Sequence, residues 1–93
     1  MRDKIKLLKA LADETRISIL QNLLENKHCA CSIVPKVRKA QPTVSGHLKI
    51  LEEAGVIESE KIGTNIWYKI KNNNAKKILK ILNIKKIKTK KNC

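Results

Sequence analysis

Aromatic residues are almost missing from this chain of 93 residues, which has no phenylalanine, one tryptophan and one tyrosine. It therefore lacks the several aromatic side chains on which single-stranded nucleic acids usually stack. No apolar run approaches the roughly 18 residues of a membrane span, and no signal-peptide pattern is present, which predicts a cytoplasmic protein without a membrane partner. With only two histidines, no phosphate-binding loop and no paired nucleophile and base, we expect a protein that is not an enzyme.

Acidic residues are missing from the C-terminal segment. Residues 71–93 hold nine lysines and no acid, and the whole chain carries a formal net charge of +13. A basic protein of this size most often binds an anionic polymer, and nucleic acid is the first candidate. One interpretation is therefore a sequence-tolerant nucleic-acid-binding protein whose binding is driven by the basic tail.

The segment 41–55 is more specific, because it predicts a short helix with sharp ends. Pro42 suits the first helical position, where its missing N–H is not needed, and Gly55 suits the left-handed residue just past the end. The apolar residues of this helix fall on one arc, and its N-terminal half is polar to basic on the opposite side. A helix of this kind fits the major groove of DNA. The positions expected to meet base edges or phosphates are Gln41, Thr43, Ser45, Gly46 and Lys49.

The remaining periodicity predicts a mainly α fold with a small β-hairpin (α+β), namely a winged helix-turn-helix. Three wing positions are candidates for phosphate contacts: Lys61, Asn65 and Lys69. The last helix has enough apolar surface to predict a dimer seam. We expect one DNA-binding and dimerisation domain over residues 1–87 and a basic flexible tail over residues 88–93. Helices are predicted over 4–12, 14–26, 32–39, 41–54 and from 75 onward, and strands over 56–62 and 65–70.

Cys29 and Cys31 form the most reactive pattern in the chain. Two residues this far apart on a regular helix point about 200° away from each other and could not hold one ion. In an extended or distorted segment their thiols point the same way. Soft thiolates select thiophilic ions such as As(III), Cd, Hg, Cu(I) or Zn.

Four stretches of the chain form a recognisable set in this order and spacing: Leu11-Ala12-Asp13-Glu14-Thr15-Arg16, Cys29-Ala30-Cys31, residues 41–55, and Gly63 followed by Trp67-Tyr68. Together they resemble the ArsR/SmtB (arsenic-repressor) family of small metal-responsive winged-helix proteins over nearly the whole chain. The resemblance implies a homodimer, paired through the first and last helices, that binds operator DNA and represses transcription. It further implies that an inducing metal lowers the affinity for DNA.

The chain departs from the family at the thiol site and at Gly46. The family branch that binds arsenic at this Cys-x-Cys position has a third cysteine where this chain has Val34. A third ligand would therefore be His28, Cys93, a group of the partner subunit or an exogenous one. Redox sensing by an oxidised pair, or a constitutive regulator with inert thiols, remains the alternative. Relatives often carry Arg or His at the position of Gly46, which leaves its contribution to base recognition open.

Overall fold

Five helices and three strands form the part of the chain that the computed structural model describes, residues 1–24 and 26–86. The strands make one antiparallel sheet in the order β1-β3-β2. This confirms the mainly α fold with a β-hairpin. The elements are α1 Arg2–Leu11, α2 Glu14–Leu23, β1 His28–Cys29, α3 Ala30–Val37, α4 Gln41–Glu53, β2 Ile57–Ile62, β3 Asn65–Ile70 and α5 Asn73–Ile81.

The hydrophobic core lies where α4 packs against α2, α3 and the sheet. On α4 the buried residues are Val44, Leu48 and Leu51, whose spacing of four and three places them on one helical stripe. Ile50, which sequence periodicity places beside them, is exposed instead, because the buried stripe is narrower than the apolar arc. Other buried residues of the same core include Ile19, Leu20, Ile33, Val56 and Ile57.

Side-chain caps fix the starts of two helices. An Asp13 carboxylate oxygen accepts a hydrogen bond from the Arg16 backbone N–H at 3.0 Å, and the same bond holds the pKa of Asp13 below its usual 3.8. The Asn72 side chain accepts from the backbone N–H of Ala75 at 3.1 Å. At the end of α4, Gly55 adopts the left-handed φ of 76° that the sequence predicts.

Helix α3 begins at Ala30, earlier than the sequence predicts, and Pro35 consequently lies inside it and not in its first turn. The cause is the two-residue strand β1, which sequence periodicity does not reveal. Pairing of Cys29 with Trp67 on β3 holds Cys29 in an extended conformation, with φ −81° and ψ 158°. The helix can therefore start directly at the next residue.

Helix α5 contributes both to the core and to an exposed apolar surface. Ala75 and Leu79 are buried, so α5 is part of the domain itself, whereas Ile81 and Leu82 are 80% and 63% exposed. Helix α1 likewise exposes apolar side chains, among them Ile5. Within residues 1–24 and 26–86, no helix has the length and apolar character needed to cross a membrane.

Candidate DNA interface and dithiol site

Helices α3 and α4 form a helix-turn-helix joined by residues 38–40. Arg38 ends α3 in the left-handed conformation, with φ 54°, and Ala40 is extended and accepts a hydrogen bond from the Val44 backbone N–H at 3.0 Å. The structure places every predicted DNA-contacting position of α4 on the exposed side, away from the core. These positions are Gln41, Thr43, Ser45, Gly46 and Lys49.

The exposed side of α4 is open at its centre and polarised along its length. An added Cβ at Gly46 would meet no atom within 4 Å, so another molecule can approach the backbone closely there. No acidic residue lies in the first turn, while Glu52 and Glu53 lie in the last. The partial positive charge of a helix N-terminus favours phosphate at that end. The charge distribution thus suits entry of the N-terminal half of α4 into a DNA groove.

The wing strands place Lys61 and Lys69 on opposite faces, and Asn65, at the tip of the hairpin, shares the strand face of Lys69. Side chains alternate between the faces of a strand, so Lys61 shares a face with Ser59, whose hydroxyl donates to Glu52 of α4 at 2.6 Å. Asn65 and Gln41 line the same groove. Lys69 lies on the opposite face, with its ammonium 3.2 Å from a Glu58 carboxylate oxygen. An exposed ion pair of this kind is weak, but it competes with any phosphate for Lys69.

Arg16, which sequence analysis does not single out as a site residue, ties α4 to the first two helices. Its guanidinium donates to the carbonyl oxygens of Ala10 at 2.6 Å and Lys9 at 3.2 Å. A third contact joins Nη1 to His47 Nδ1 at 3.2 Å, and because arginine cannot accept, the imidazole nitrogen must do so. Asp13 lies 3.8 Å from the same nitrogen. His47 is therefore a partly buried packing residue, and this junction fixes the position of α4.

Cys29 and Cys31 lie together at the start of α3. Cys29 is buried and is the extended residue before the helix, whereas Cys31 is exposed in the first turn. Their Cα atoms are 5.4 Å apart and their sulfur atoms form a disulfide. The extended backbone at Cys29 brings both side chains to one side, as expected from the spacing. The pair thus forms a candidate site for thiol chemistry within the helix-turn-helix.

A buried polar chain lies beside the pair. His28 Nδ1 is 3.4 Å from the Ser32 hydroxyl, which also accepts a hydrogen bond from Lys36 Nζ at 3.1 Å. Burial lowers the pKa of Lys36. In the described part of the chain no three His, Cys, Asp or Glu side chains are gathered so as to hold a metal ion. Cys93, the other proposed ligand, lies outside the described residues, so the third ligand stays a prediction.

Cys31 faces an open groove of about 400 Å³. One wall is α3, which contributes Val34 and Pro35, and the other is the tip of the wing. The start of α4 closes the groove with Gln41. Val34 stands where the third thiol of the family's arsenic site is expected, so this position adds an apolar wall and not a ligand. The other lining residues are Ala30, Thr64, Asn65 and Ile66.

Comparison with known proteins identifies the family of this chain. The model of a family described as "bacterial regulatory protein, arsR family" matches residues 13–59, from the cap of α2 into the wing. The chain belongs to the arsR family. It is thus a winged helix-turn-helix transcriptional regulator and not an enzyme, as its sequence predicts.

Several arsR-family and winged-helix proteins are similar to this chain. An HTH-type transcriptional regulator of Methanocaldococcus jannaschii is 41% identical over 78 residues, which cover 83% of this chain and 88% of that protein. The arsenical resistance operon repressor of Staphylococcus aureus is 33% identical, and the match covers 84% of this chain and 75% of the repressor. The structure of reduced HlyU from Vibrio cholerae superposes with a TM-score of 0.81 at 27% identity, covering 87% of this chain and 85% of HlyU.

Proposed function

We propose that this arsR-family regulator is a cytoplasmic homodimeric repressor that a thiophilic metal or metalloid bound at Cys29 and Cys31 releases from operator DNA. The observation that carries the proposal is the position of the two sulfurs, which meet at the first turn of α3 in the helix-turn-helix. The candidate ions are Zn, Cd, Hg, Cu(I) and As(III), all of which bind soft thiolates. The similar S. aureus protein is named as a repressor of an arsenical resistance operon.

Operator binding in this proposal uses α4, Lys61 on the wing face nearest α4, and Asn65 at the wing tip. Gln41, Thr43, Ser45 and Lys49 supply hydrogen-bonding groups for base edges and phosphates, and Gly46 allows close approach of the helix. Lys61 and Asn65 extend the contact along the backbone of the same DNA segment. Lys69 contributes less than the other two wing residues, because it is paired with Glu58 on the far face.

Pairing of two subunits covers the exposed apolar side chains of α1 and α5. Ile5 and Leu8 on α1, and Ile81 with the adjoining Leu82 on α5, are all exposed in one subunit. A symmetric dimer places two α4 helices on one face, as half-sites one helical turn apart require.

The thiol site can influence DNA binding through α3. In the reduced protein the two thiols can turn independently, whereas an ion bonded to both ties the extended residue Cys29 to the first turn of α3. Ion binding in this proposal therefore restrains the start of α3. Because α3 packs against α4 and borders the wing groove, the restraint reaches both DNA-contacting elements.

The test uses fluorescence anisotropy of a labelled duplex taken from the region upstream of the protein's own gene. Under reducing conditions, one of the named ions should release the wild-type protein but not a variant with Cys29→Ser and Cys31→Ser, which should still bind the duplex. Release should strengthen as pH rises towards the usual thiol pKa of about 8.5, since binding needs thiolates. A specific repressor should bind the upstream duplex but not a scrambled duplex at physiological salt. A binder driven by the basic tail should not distinguish the two duplexes.

Redox sensing is the second candidate, favoured by the disulfide between Cys29 and Cys31. In that case oxidation and reduction of the pair, without any added ion, should change the affinity for the upstream duplex. The matched measurement compares metal-free protein treated with a dithiol reductant and with a thiol oxidant. A change that the double serine variant lacks supports redox control, and equal affinity in both states contradicts it.

A further inference from the structure

We propose that the cavity between the ends of α2 and α5 binds a small amphiphilic anion, a carboxylate with one aliphatic chain. The chain of this ligand occupies the cavity, and lysine ammonium groups at the mouth bind its carboxylate. The cavity has a volume of about 520 Å³, within the range of small-molecule sites, roughly 300–1,000 Å³. Because the inference rests on this cavity alone, it does not depend on the thiol site or on the proposed repressor function.

The turn that follows α5 builds one side of the cavity. Asn83 has a left-handed φ of 60°, and the backbone N–H of Ile84 donates to the Leu79 carbonyl oxygen at 2.8 Å. This Schellman arrangement reverses the chain at the end of a helix. The chain then returns to α2, where the Gln21 side-chain amide donates to the Lys85 carbonyl oxygen at 3.0 Å. Both ends of the turn are thus hydrogen-bonded, so the subunit forms the cavity before any ligand binds.

The inner surface of the cavity is apolar and continuous with the hydrophobic core. Leu79 is 1% exposed and belongs to the core, and Leu24 and Ile84 are half-buried and packed against it. An aliphatic chain in contact with these three side chains is removed from water, which stabilises the complex in proportion to the apolar area covered. The inner surface therefore selects the apolar part of the ligand, and a bare inorganic anion would not use it.

The mouth of the cavity is basic. The four lysines that line it are all exposed: Lys76, Lys80, Lys85 and Lys86. Within residues 1–24 and 26–86, no acidic side chain lines the cavity. Charges of one sign around an opening with apolar walls attract ligands of the opposite charge. Lysine stems can lie along the aliphatic chain while their ammonium groups bind the carboxylate, so the mouth selects an anionic head group.

The cavity lies on the side of α5 away from the proposed dimer seam. An α-helix turns by about 100° per residue, so Ile81 lies about 140° around the helix from Lys76 and about 160° from Leu79. Ile81, which is 80% exposed, is thus available to the partner subunit, while the cavity opens in another direction. Each subunit of a dimer can therefore hold one ligand.

Isothermal titration calorimetry of the full-length protein with sodium decanoate tests the site. One decanoate should bind per subunit, and the affinity should rise roughly fourfold for each methylene added between hexanoate and decanoate. Decyltrimethylammonium has the same chain and a positive head group, and it should not bind. Acetate has the carboxylate without the chain, and it should not bind either. The decanoate Kd should rise with salt concentration, since the lysines at the mouth are exposed.

Two double variants with equal loss of charge test whether the lysines at the mouth bind the carboxylate. Lys76→Gln with Lys80→Gln removes two of these lysines. Lys71→Gln with Lys77→Gln is the matched control, because both residues are also exposed but do not line the cavity. The first variant should raise the decanoate Kd by roughly fivefold, which corresponds to the loss of two exposed ion pairs. The control should bind decanoate as the wild-type protein does.

Nuclear magnetic resonance locates the bound aliphatic chain. Decanoate should shift the methyl signals of Leu24, Leu79 and Ile84, which line the cavity. It should leave the methyl signals of Ile62 and Ile66 on the wing unchanged. Shifts centred on the wing would overturn the inference, because the chain would then bind to an exposed apolar surface and not in the cavity.

Four further results would also overturn it. Equal weakening by the two double variants would mean that decanoate responds only to net charge. Unchanged decanoate binding by Lys76→Gln with Lys80→Gln, together with a smaller salt slope for duplex binding, would assign these lysines to DNA phosphates. Tighter decanoate binding by Ile81→Ser than by the wild-type protein would show that the partner subunit covers the cavity. Binding to vesicles of anionic phospholipid without binding to free decanoate would assign the lysines to a membrane surface.

Discussion

Replacement of Ile81 by serine should dissociate the dimer without unfolding the subunit. Ile81 ends α5 and is 80% exposed in one subunit, so the core of the subunit loses little when it is removed. Full burial of an isoleucine side chain contributes roughly 1.5–3 kcal/mol. A two-fold symmetric dimer buries the same residue twice, and since 80% of Ile81 is available to be covered, its loss should cost about 2.4–4.8 kcal/mol, or roughly a 60- to 3,000-fold increase in the dimer Kd.

Sedimentation velocity over a concentration series measures that constant directly. Ile62→Ser serves as the control, because it removes another exposed isoleucine from the wing, outside the proposed seam. Circular dichroism should give the same helical content for both variants. Ile81→Ser should also lower the affinity for the upstream duplex, since two separate monomers bind the two half-sites independently, whereas a dimer binds them together.

A wild-type dimer Kd for Ile81→Ser would refute the reasoning, because it would mean that the end of α5 is not covered in the dimer. Equal weakening by Ile62→Ser would also refute it, since the effect would then follow from loss of any exposed apolar side chain. An unfolded variant would contradict the assignment of Ile81 to the surface.

Three further predictions concern α4 and the cap of α2. Lys49→Ala should weaken binding to the upstream duplex by about 1 kcal/mol and leave dimerisation unchanged. It should also reduce the slope of log K against log salt concentration by about 1, and an unchanged slope would contradict a contact between Lys49 and DNA. Asp13→Ala should lower the free energy of unfolding by about 1 kcal/mol in urea titrations, whereas Asp13→Asn keeps a capping oxygen. Because the folded pKa of Asp13 is lowered, chiefly by the Arg16 backbone hydrogen bond, its contribution is present above its unfolded value, 3.8, and is lost as pH falls through the folded pKa. Asp13→Asn should remove that dependence. Gly55→Ala should lower the free energy of unfolding by about 1–2 kcal/mol, because Gly55 has a left-handed φ. Gly46→Ala should raise it by roughly 0.5–1 kcal/mol, because Gly46 lies on an open helical surface. Chemical denaturation of both variants should show these opposite signs.

The sequence by itself determined the features that depend on neighbouring residues. Gly55 marks the end of α4, and Pro42 lies one residue after the helix start at Gln41, where the sequence predicts the first helical position. Asp13 caps α2, and the turn at Gly63 separates two strands close to their predicted bounds. These signals are local, because capping, left-handed φ and strand alternation act within a few residues. The order of these elements was enough to predict a winged helix-turn-helix.

Only the tertiary structure decided the features that join distant residues. Strand β1 exists because Cys29 pairs with Trp67, and this pairing moved the start of α3. Arg16 meets His47 across 31 positions of sequence, and Lys69 is drawn to Glu58 by strand register. The groove that gives Cys31 its surroundings is likewise assembled from α3, α4 and the wing. Such contacts form when separate elements pack on one core, so the periodicity within a single element does not predict them.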